Sequence, residues 1–258
     1  MEAGDSVEVS VMKEITRRGI IYRFALLEII MSNMFLLISI GMLVAPEYVL
    51  TAAHCVGGLD AYQISALCEP YQPGANCGQP IEEIKVLQEI KHPQYNDKTR
   101  NNDFALVKLR ERSTITPVAM DQGIISPNYT SNTNDLWPIG VGTQDPDVDK
   151  FPTRLYHVEV SYVTQQKCKN QYGASDITAN MMCASDPGED SCHGDSGGPL
   201  YDKTNNAVVG VVSWGYGCAD PTAAGVYSRI SSQVSLLAYI IIVHCESISS
   251  CSSSPPSF

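Results

Sequence analysis

Gly194-Asp195-Ser196-Gly197-Gly198-Pro199 is the densest chemical signal in the chain. A serine between glycines, just ahead of a strand-like run, can sit on a tight turn with its hydroxyl exposed. Glycine lets neighbouring N–H groups converge on one point, as a developing oxyanion requires. A serine hydroxyl is a poor nucleophile at neutral pH and needs a base. His54, in Thr51-Ala52-Ala53-His54-Cys55, is the candidate base. Asp103, just before Phe104-Ala105-Leu106, is the candidate acceptor that holds the imidazole ring. Singly, each has a plain structural alternative: a turn, a packed histidine, a turn cap. The order His, Asp, Ser, at intervals of 49 and 93 residues, makes a nucleophilic triad the better reading.

The elements that must position these groups read as strands. Tyr48–Thr51, Ile84–Leu87, Phe104–Leu109, Tyr156–Val160, Ala207–Val212 and Gly225–Ile230 are short β-rich runs. Turn clusters at Pro70–Pro80 and Gln144–Pro152 separate some of them. Strands at this spacing, without alternating helices, predict an antiparallel all-β architecture. Val234, Leu237, Ala238 and Ile241 could share one face of a C-terminal helix, and Ser247–Phe258 is Ser/Pro-rich and predicted to be disordered.

With 44% hydrophobic and 17% charged residues, the 258-residue chain suits a folded core in one large domain or two small ones. A net charge of −11 repels phosphate backbones and argues against a nucleic-acid partner. Nine cysteines without zinc-like spacing point to disulfides and hence a secretory or extracellular route. The sequon Asn128-Tyr129-Thr130, a glycosylation acceptor, agrees. Ile29–Ala45 is a 17-residue uncharged run preceded by basic residues, the pattern of a signal sequence or signal anchor. A membrane tether through residues 29–45 is therefore the alternative localisation.

Thr51–Cys55, Asp103–Leu109, Gly194–Leu200, Ser213–Cys218 and Gly225–Ile230 resemble, in order, the signature blocks of the trypsin-like, chymotrypsin-fold serine endopeptidases. The resemblance spans Ala45–Ser232, and the chain orders of nucleophile-elbow hydrolases and subtilisins are disfavoured. It implies two antiparallel β-barrels with the catalytic cleft between them and a short C-terminal helix. His54 and Asp103 would come from the first barrel and Ser196 from the second. The family's worked mechanism makes Ser196 the nucleophile, His54 the general base and acid, and Asp103 the group orienting it. The N–H groups of Gly194 and Ser196 would bind the oxyanion. Ser213, Trp214 and Gly215 match the segment that pairs with substrate backbone.

Specificity follows from the same resemblance. Asp190 matches the base of the trypsin primary pocket, and Gly215 and Gly225 match its walls. A carboxylate there pairs with Arg or Lys, so protein or peptide substrates cut after those residues are expected. The alternative is that Asp190 merely closes a loop beside Glu189. Cys168 with Cys183 and Cys192 with Cys218 match family disulfides; Cys68 and Cys77 flank a Pro/Gly-rich loop as its expected staple. Protein inhibitors are implied as partners; no cofactor or metal is expected. A solvated edge is favoured over a calcium site for Glu69, Glu82 and Glu83. His193 lies at the pocket rim by alignment.

The resemblance fails upstream. In the family a freed N-terminal amine, exposed at an Ile-Val-Gly-Gly-like start, pairs with the aspartate preceding the nucleophile, here Asp195; no such motif occurs in residues 1–44. A cysteine block ahead of the histidine is absent, leaving Cys55 without its expected partner and the fates of Cys245 and Cys251 open. Gly140-Val141-Gly142 replaces a Gly-Trp-Gly block. The expected organisation is an atypical segment 1–44, a peptidase domain 45–243 and a tail 244–258. Residues 1–44 read as a signal anchor, a genuine but unusual start, or a mis-joined exon. Made as written, the chain would have a first barrel short of a strand or more. The rival function is a non-catalytic homologue that binds a partner protein through the same cleft.

Overall fold

Ala45 pairs with Tyr48 across a two-residue turn at Pro46 and Glu47, and this hairpin begins the first barrel. The computed structural model describes residues 13–14, 21–22, 40–57, 61–64, 67–68, 82–129, 136–143 and 156–243. Residues 29–39 of the apolar run, the loop between Cys68 and Cys77, the turn cluster at 144–152, Cys245, Cys251 and the Ser/Pro-rich tail lie outside the described residues.

The upstream strands are β1 (Lys13–Glu14), β2 (Ile21–Tyr22), β3 (Met42–Ala45) and β4 (Tyr48–Thr51). Then come β5 (Ala61–Ile64), β6 (Leu67–Cys68), β7 (Glu82–Lys91) and β8 (Ala105–Leu109). The second half contains β9 (Leu136–Gly140), β10 (Tyr156–His157), β11 (Tyr162–Val163), α1 (Gln165–Tyr172) and β12 (Met181–Ala184). It ends with β13 (Pro199–Asp202), β14 (Ala207–Trp214), β15 (Gly225–Arg229) and α2 (Val234–Val243).

These elements build the two antiparallel barrels and the short C-terminal helix that the sequence implies. Among the described residues, the first barrel's main sheet runs β3-β4-β8-β7-β5, and β2 pairs with β6 in a separate ladder. The second sheet runs β1-β10-β9-β13-β14-β15-β12-β11. The Val160 N–H donates to the Leu136 carbonyl at 2.8 Å, returning the segment ahead of β11 to β9 and closing that barrel. The run expected at Tyr156–Val160 therefore divides into β10 and this single bridge. The strand expected at Ile84–Leu87 extends over β7 with a register shift between Val86 and Gln88, and Leu87 is exposed there.

The hairpin buries both faces. Leu43 and Val49 pack with Val107, Leu109 and Ile115 inside the first barrel. Met42, Val44, Tyr48 and Leu50 instead join Ile139, Val208, Val211 and Leu237 in a cluster between the barrels. A strand buried on both faces reads as a continuous apolar run, which is what the downstream end of the 29–45 segment is. The folded unit thus starts upstream of residue 45, with Ile40 already in the inter-barrel cluster. No helix among the described residues is long and apolar enough to cross a membrane. α2 turns Leu237 and Ile241 to the core and leaves Tyr239 and Ile242 exposed.

One backbone contact joins this hairpin to the chemistry. The Ile40 N–H donates to the Ser196 carbonyl at 3.0 Å, and the Thr51 hydroxyl donates to the Ile40 carbonyl at 2.7 Å. Gly197, at φ 80°, lies so close that a Cβ would run into Thr51 Oγ1 and the Ile40 carbonyl. Gly197→Ala should destabilise the protein by at least ~1–3 kcal/mol, the strain of the left-handed backbone alone. Urea unfolding of the variant beside the parent chain measures it.

Candidate active site

His54 lies in a single 3₁₀ turn, Ala53–Cys55, immediately after β4. Ala53 and Cys55 are buried there while His54 is partly exposed. Asp103, fully buried, stands just ahead of β8. One carboxylate oxygen of Asp103 accepts the His54 backbone N–H at 2.9 Å, and the other contacts His54 Nδ1 at 2.7 Å. The second oxygen also accepts the Ser213 hydroxyl at 2.6 Å, and the Ser228 hydroxyl donates to the Asp103 carbonyl at 3.1 Å. Holding Nδ1 as the donor leaves Nε2 as the basic nitrogen of the neutral ring. Burial pulls the His54 pKa down, but the Asp103 hydrogen bond and the neighbouring Cys55 outweigh it, lifting the value from 6.5 to about 9. Among the described residues no sulfur pairs with Cys55.

Ser196 sits on the turn between Cys192 and β13. The Asp195 N–H donates to the Cys192 carbonyl at 3.1 Å, Gly198 N–H to the Asp195 carbonyl at 2.9 Å, and Gly197 N–H to the Val212 carbonyl at 3.0 Å. Gly194 has φ 96°, which glycine adopts without steric penalty. The N–H groups of Gly194 and Ser196 meet no acceptor among the described residues.

Beside Ser196 opens a cavity of about 210 Å³, lined by Asp190, Ser191, His193, Val212–Gly215, Gly217 and Gly225. The disulfides Cys192–Cys218 and Cys168–Cys183 brace its surroundings, the first joining two of its walls. Asp190 is buried, with Oδ1 accepting the Ser191 N–H at 2.8 Å. Burial pushes its pKa up to about 7, against the opposing pull of the Ser191 and Ala219 N–H groups. A Cβ at Gly225 would strike the Asp190 carboxylate, so glycine keeps that wall open. Trp214, at the end of β14, meets Tyr172 edge-on with ring centroids 4.9 Å apart. Asn128 lies apart from the cleft in an exposed turn.

Asp195 occupies a different environment, fully buried on the far side of the same turn. Its carboxylate accepts the Gly142 N–H at 2.7 Å and the Cys192 N–H at 2.8 Å. No basic side chain among the described residues pairs with it. Burial raises its pKa to about 6, although both N–H groups oppose the rise. A Cβ on Gly140 or Gly142 would collide with this carboxylate, and Ile40 packs against the same wall. From sequence, Gly140-Val141-Gly142 registers only as a departure from a family block; its contact with Asp195 is conformational. Ser191 and Ser228 were likewise missed, since an ordinary serine carries no local signal of its partner.

A family model described as Trypsin matches residues 30–237. Trypsin Blo t 3 of Blomia tropicalis is 36% identical over 203 residues, covering 76% of this chain and 74% of that protein. Trypsin-1 of Astacus astacus is 35% identical over 195 residues, covering 73% and 81%. Neuropsin, a serine protease expressed in the limbic system of mouse brain, superposes with a TM-score of 0.68 at 31% identity, covering 79% of this chain and 89% of that one. The chain belongs to the trypsin family and is a serine endopeptidase by that membership.

The buried Asp195 has a thermodynamic signature. Its folded pKa, about 6, lies above the ordinary carboxylate value of 3.8. Its contribution to stability is therefore full below about 3.8 and is lost as pH rises through about 6. Relative to Asp195→Asn, the parent chain should lose up to ~3 kcal/mol of stability between pH 4 and pH 7.5. Urea unfolding of both proteins at the two pH values measures it.

Proposed function

We propose that this endopeptidase cuts peptide bonds after Arg or Lys through a triad of His54, Asp103 and Ser196. The observation that supports it most is the shared Asp103 oxygen, 2.7 Å from His54 Nδ1 and 2.6 Å from the Ser213 hydroxyl. Ser196 would attack the substrate carbonyl while His54 Nε2 takes its proton. The tetrahedral oxygen would develop its charge toward the Gly194 and Ser196 N–H groups, which are free to donate. His54 would then return the proton to the leaving amine, leaving an acyl group on Ser196 for water to remove.

Asp190 is the specificity element of the proposal. Its buried carboxylate lines a cavity open enough for a long side chain. An arginine or lysine head group would stabilise the ionised form; an apolar residue would leave it uncompensated. Ser213–Gly215 would pair with the substrate backbone as an added strand. We further propose secretion, supported by the two disulfides, and glycosylation at Asn128, supported by its exposure. Protein inhibitors would enter the same cleft. Any membrane tether would have to lie upstream of Ile40, because Met42–Ala45 is committed to the barrel. Asp195 is proposed as the group that an activating cation would pair with.

Two chromogenic amides, one with Arg and one with Phe before the scissile bond, test this. The full chain should hydrolyse the Arg amide, Ser196→Ala should lose at least about 10³-fold, and Asp190→Ser should lose the preference for Arg. A folded chain that hydrolyses neither amide would contradict the proposal.

A pH profile gives a second test. Since His54 must be neutral to act as a base, the acid limb of kcat/KM should lie above 6.5 and toward 9. Cys55→Ala removes one of the causes raising it, so the limb should move to lower pH.

A further inference from the structure

Asp103 reaches His54 from a loop that the first barrel does not hold by itself. Asn102, the residue before it, has φ 56° and is buried. Both polar atoms of its side-chain amide are engaged. Nδ2 donates to the Gln94 carbonyl at 3.0 Å; Oδ1 accepts from Asn180 Nδ2 at 2.7 Å and more weakly from Gln233 Nε2 at 3.4 Å. Beside it, Asn101 Oδ1 accepts the Thr178 hydroxyl at 2.7 Å. Asn102 sits between β7 and β8 of the first barrel, whereas Asn180 leads into β12 of the second.

Asn180 is itself fixed. Its carbonyl accepts the Arg229 N–H at 2.8 Å. The buried Arg229 guanidinium donates to the carbonyls on either side, Ala179 at 3.1 Å and Met181 at 2.8 Å. Hydrogen bonds therefore link β15 through Asn180 to Asn102, the backbone neighbour of the residue that carries the carboxylate. Asparagine tolerates the left-handed region better than most residues, yet still prefers negative φ when nothing restrains it.

We infer that Asn180 and Asn102 are positioning residues, which set the Asp103 carboxylate against His54 by tying its loop to the second barrel. This rests on the proposed roles of His54 and Asp103. Without the Asn180 amide, Asn102 Oδ1 keeps only its long contact with Gln233, and the backbone ahead of Asp103 can relax. The groups that raise the basicity of His54 are Asp103 and Cys55. A displaced Asp103 should lower it, and with it the acid limb of the pH profile.

The test uses the full chain with Asn180→Ala and Asn102→Gly; glycine keeps the left-handed backbone accessible and removes only the amide. For the Arg amide, kcat should fall about tenfold and KM should stay within about twofold. The acid limb should move to lower pH. The low-field proton resonance of His54 Nδ1–H, readable without turnover, should weaken in both variants. Parental kcat and limb in either folded variant would overturn the inference, as would a fall in kcat with the limb and resonance unmoved, which marks a mere barrel fastener. Should Asn180→Ala fail to fold, Asn102→Gly decides by the same readouts. If the parent chain hydrolyses nothing yet its resonance weakens in the variants, the proposed function fails while the positioning role stands.

Discussion

The Asp103 carboxylate is the constraint on which the rest of the site depends. It is fully buried and is held by groups from both barrels: the His54 backbone and ring from the first, the Ser213 hydroxyl from the second. A buried carboxylate is tolerable only when its oxygens are satisfied; here His54 reaches both oxygens from within the first barrel, and Ser213 adds a third donor from the second. Docking of the second barrel therefore completes the hydrogen bonding around the acid–histidine couple, through Ser213 and Ser228. That docking is driven by the apolar cluster of Met42, Val44 and Leu50 against Ile139, Val208 and Val211. Packing across the inter-barrel seam and the second-barrel hydrogen bonds to Asp103 are thus two consequences of one interface.

The second buried carboxylate, Asp195, has the opposite character. It lies behind the Ser196 turn with two N–H donors and no paired cation among the described residues. Gly140 and Gly142 approach so closely because any side chain there would meet it. One short segment, Cys192–Gly198, therefore carries Ser196 on one side and a carboxylate that resists ionising on the other. A group that resists ionising when buried favours whatever arrangement neutralises it. The order of this turn is accordingly coupled to the charge of Asp195.

The candidate site was legible in the sequence because its signals are local. Glycines around Ser196, alanines before His54 and the β-rich run after Asp103 each define a short conformation. Their family resemblance fixes the order. The hairpin strand Met42–Ala45 was hard to read for a physical reason: a strand buried on both faces has no alternation, and its apolar run looks like a membrane segment. Helix α1 was missed because only Cys168 and Tyr172 are buried along it, leaving almost no periodic face. Thr164, whose hydroxyl accepts the Lys167 N–H at 3.3 Å as an N-cap, was the available signal. The Asn102–Asn180 contact joins residues 78 positions apart on different barrels, and the buried Arg229 meets carbonyls 48 and 104 positions away, which composition and periodicity cannot express.

The most direct measurement of the central claim is the mass of the full chain after reaction with a guanidinobenzoate ester, a cationic acyl donor that the Asp190 cavity should accept. The account predicts one acyl group per chain, attached at Ser196, with a matching burst of released alcohol and no acylation of the Ser196→Ala variant. A folded chain that acquires no acyl group, or acquires it elsewhere than Ser196, would contradict the claim that these two barrels assemble a nucleophilic serine.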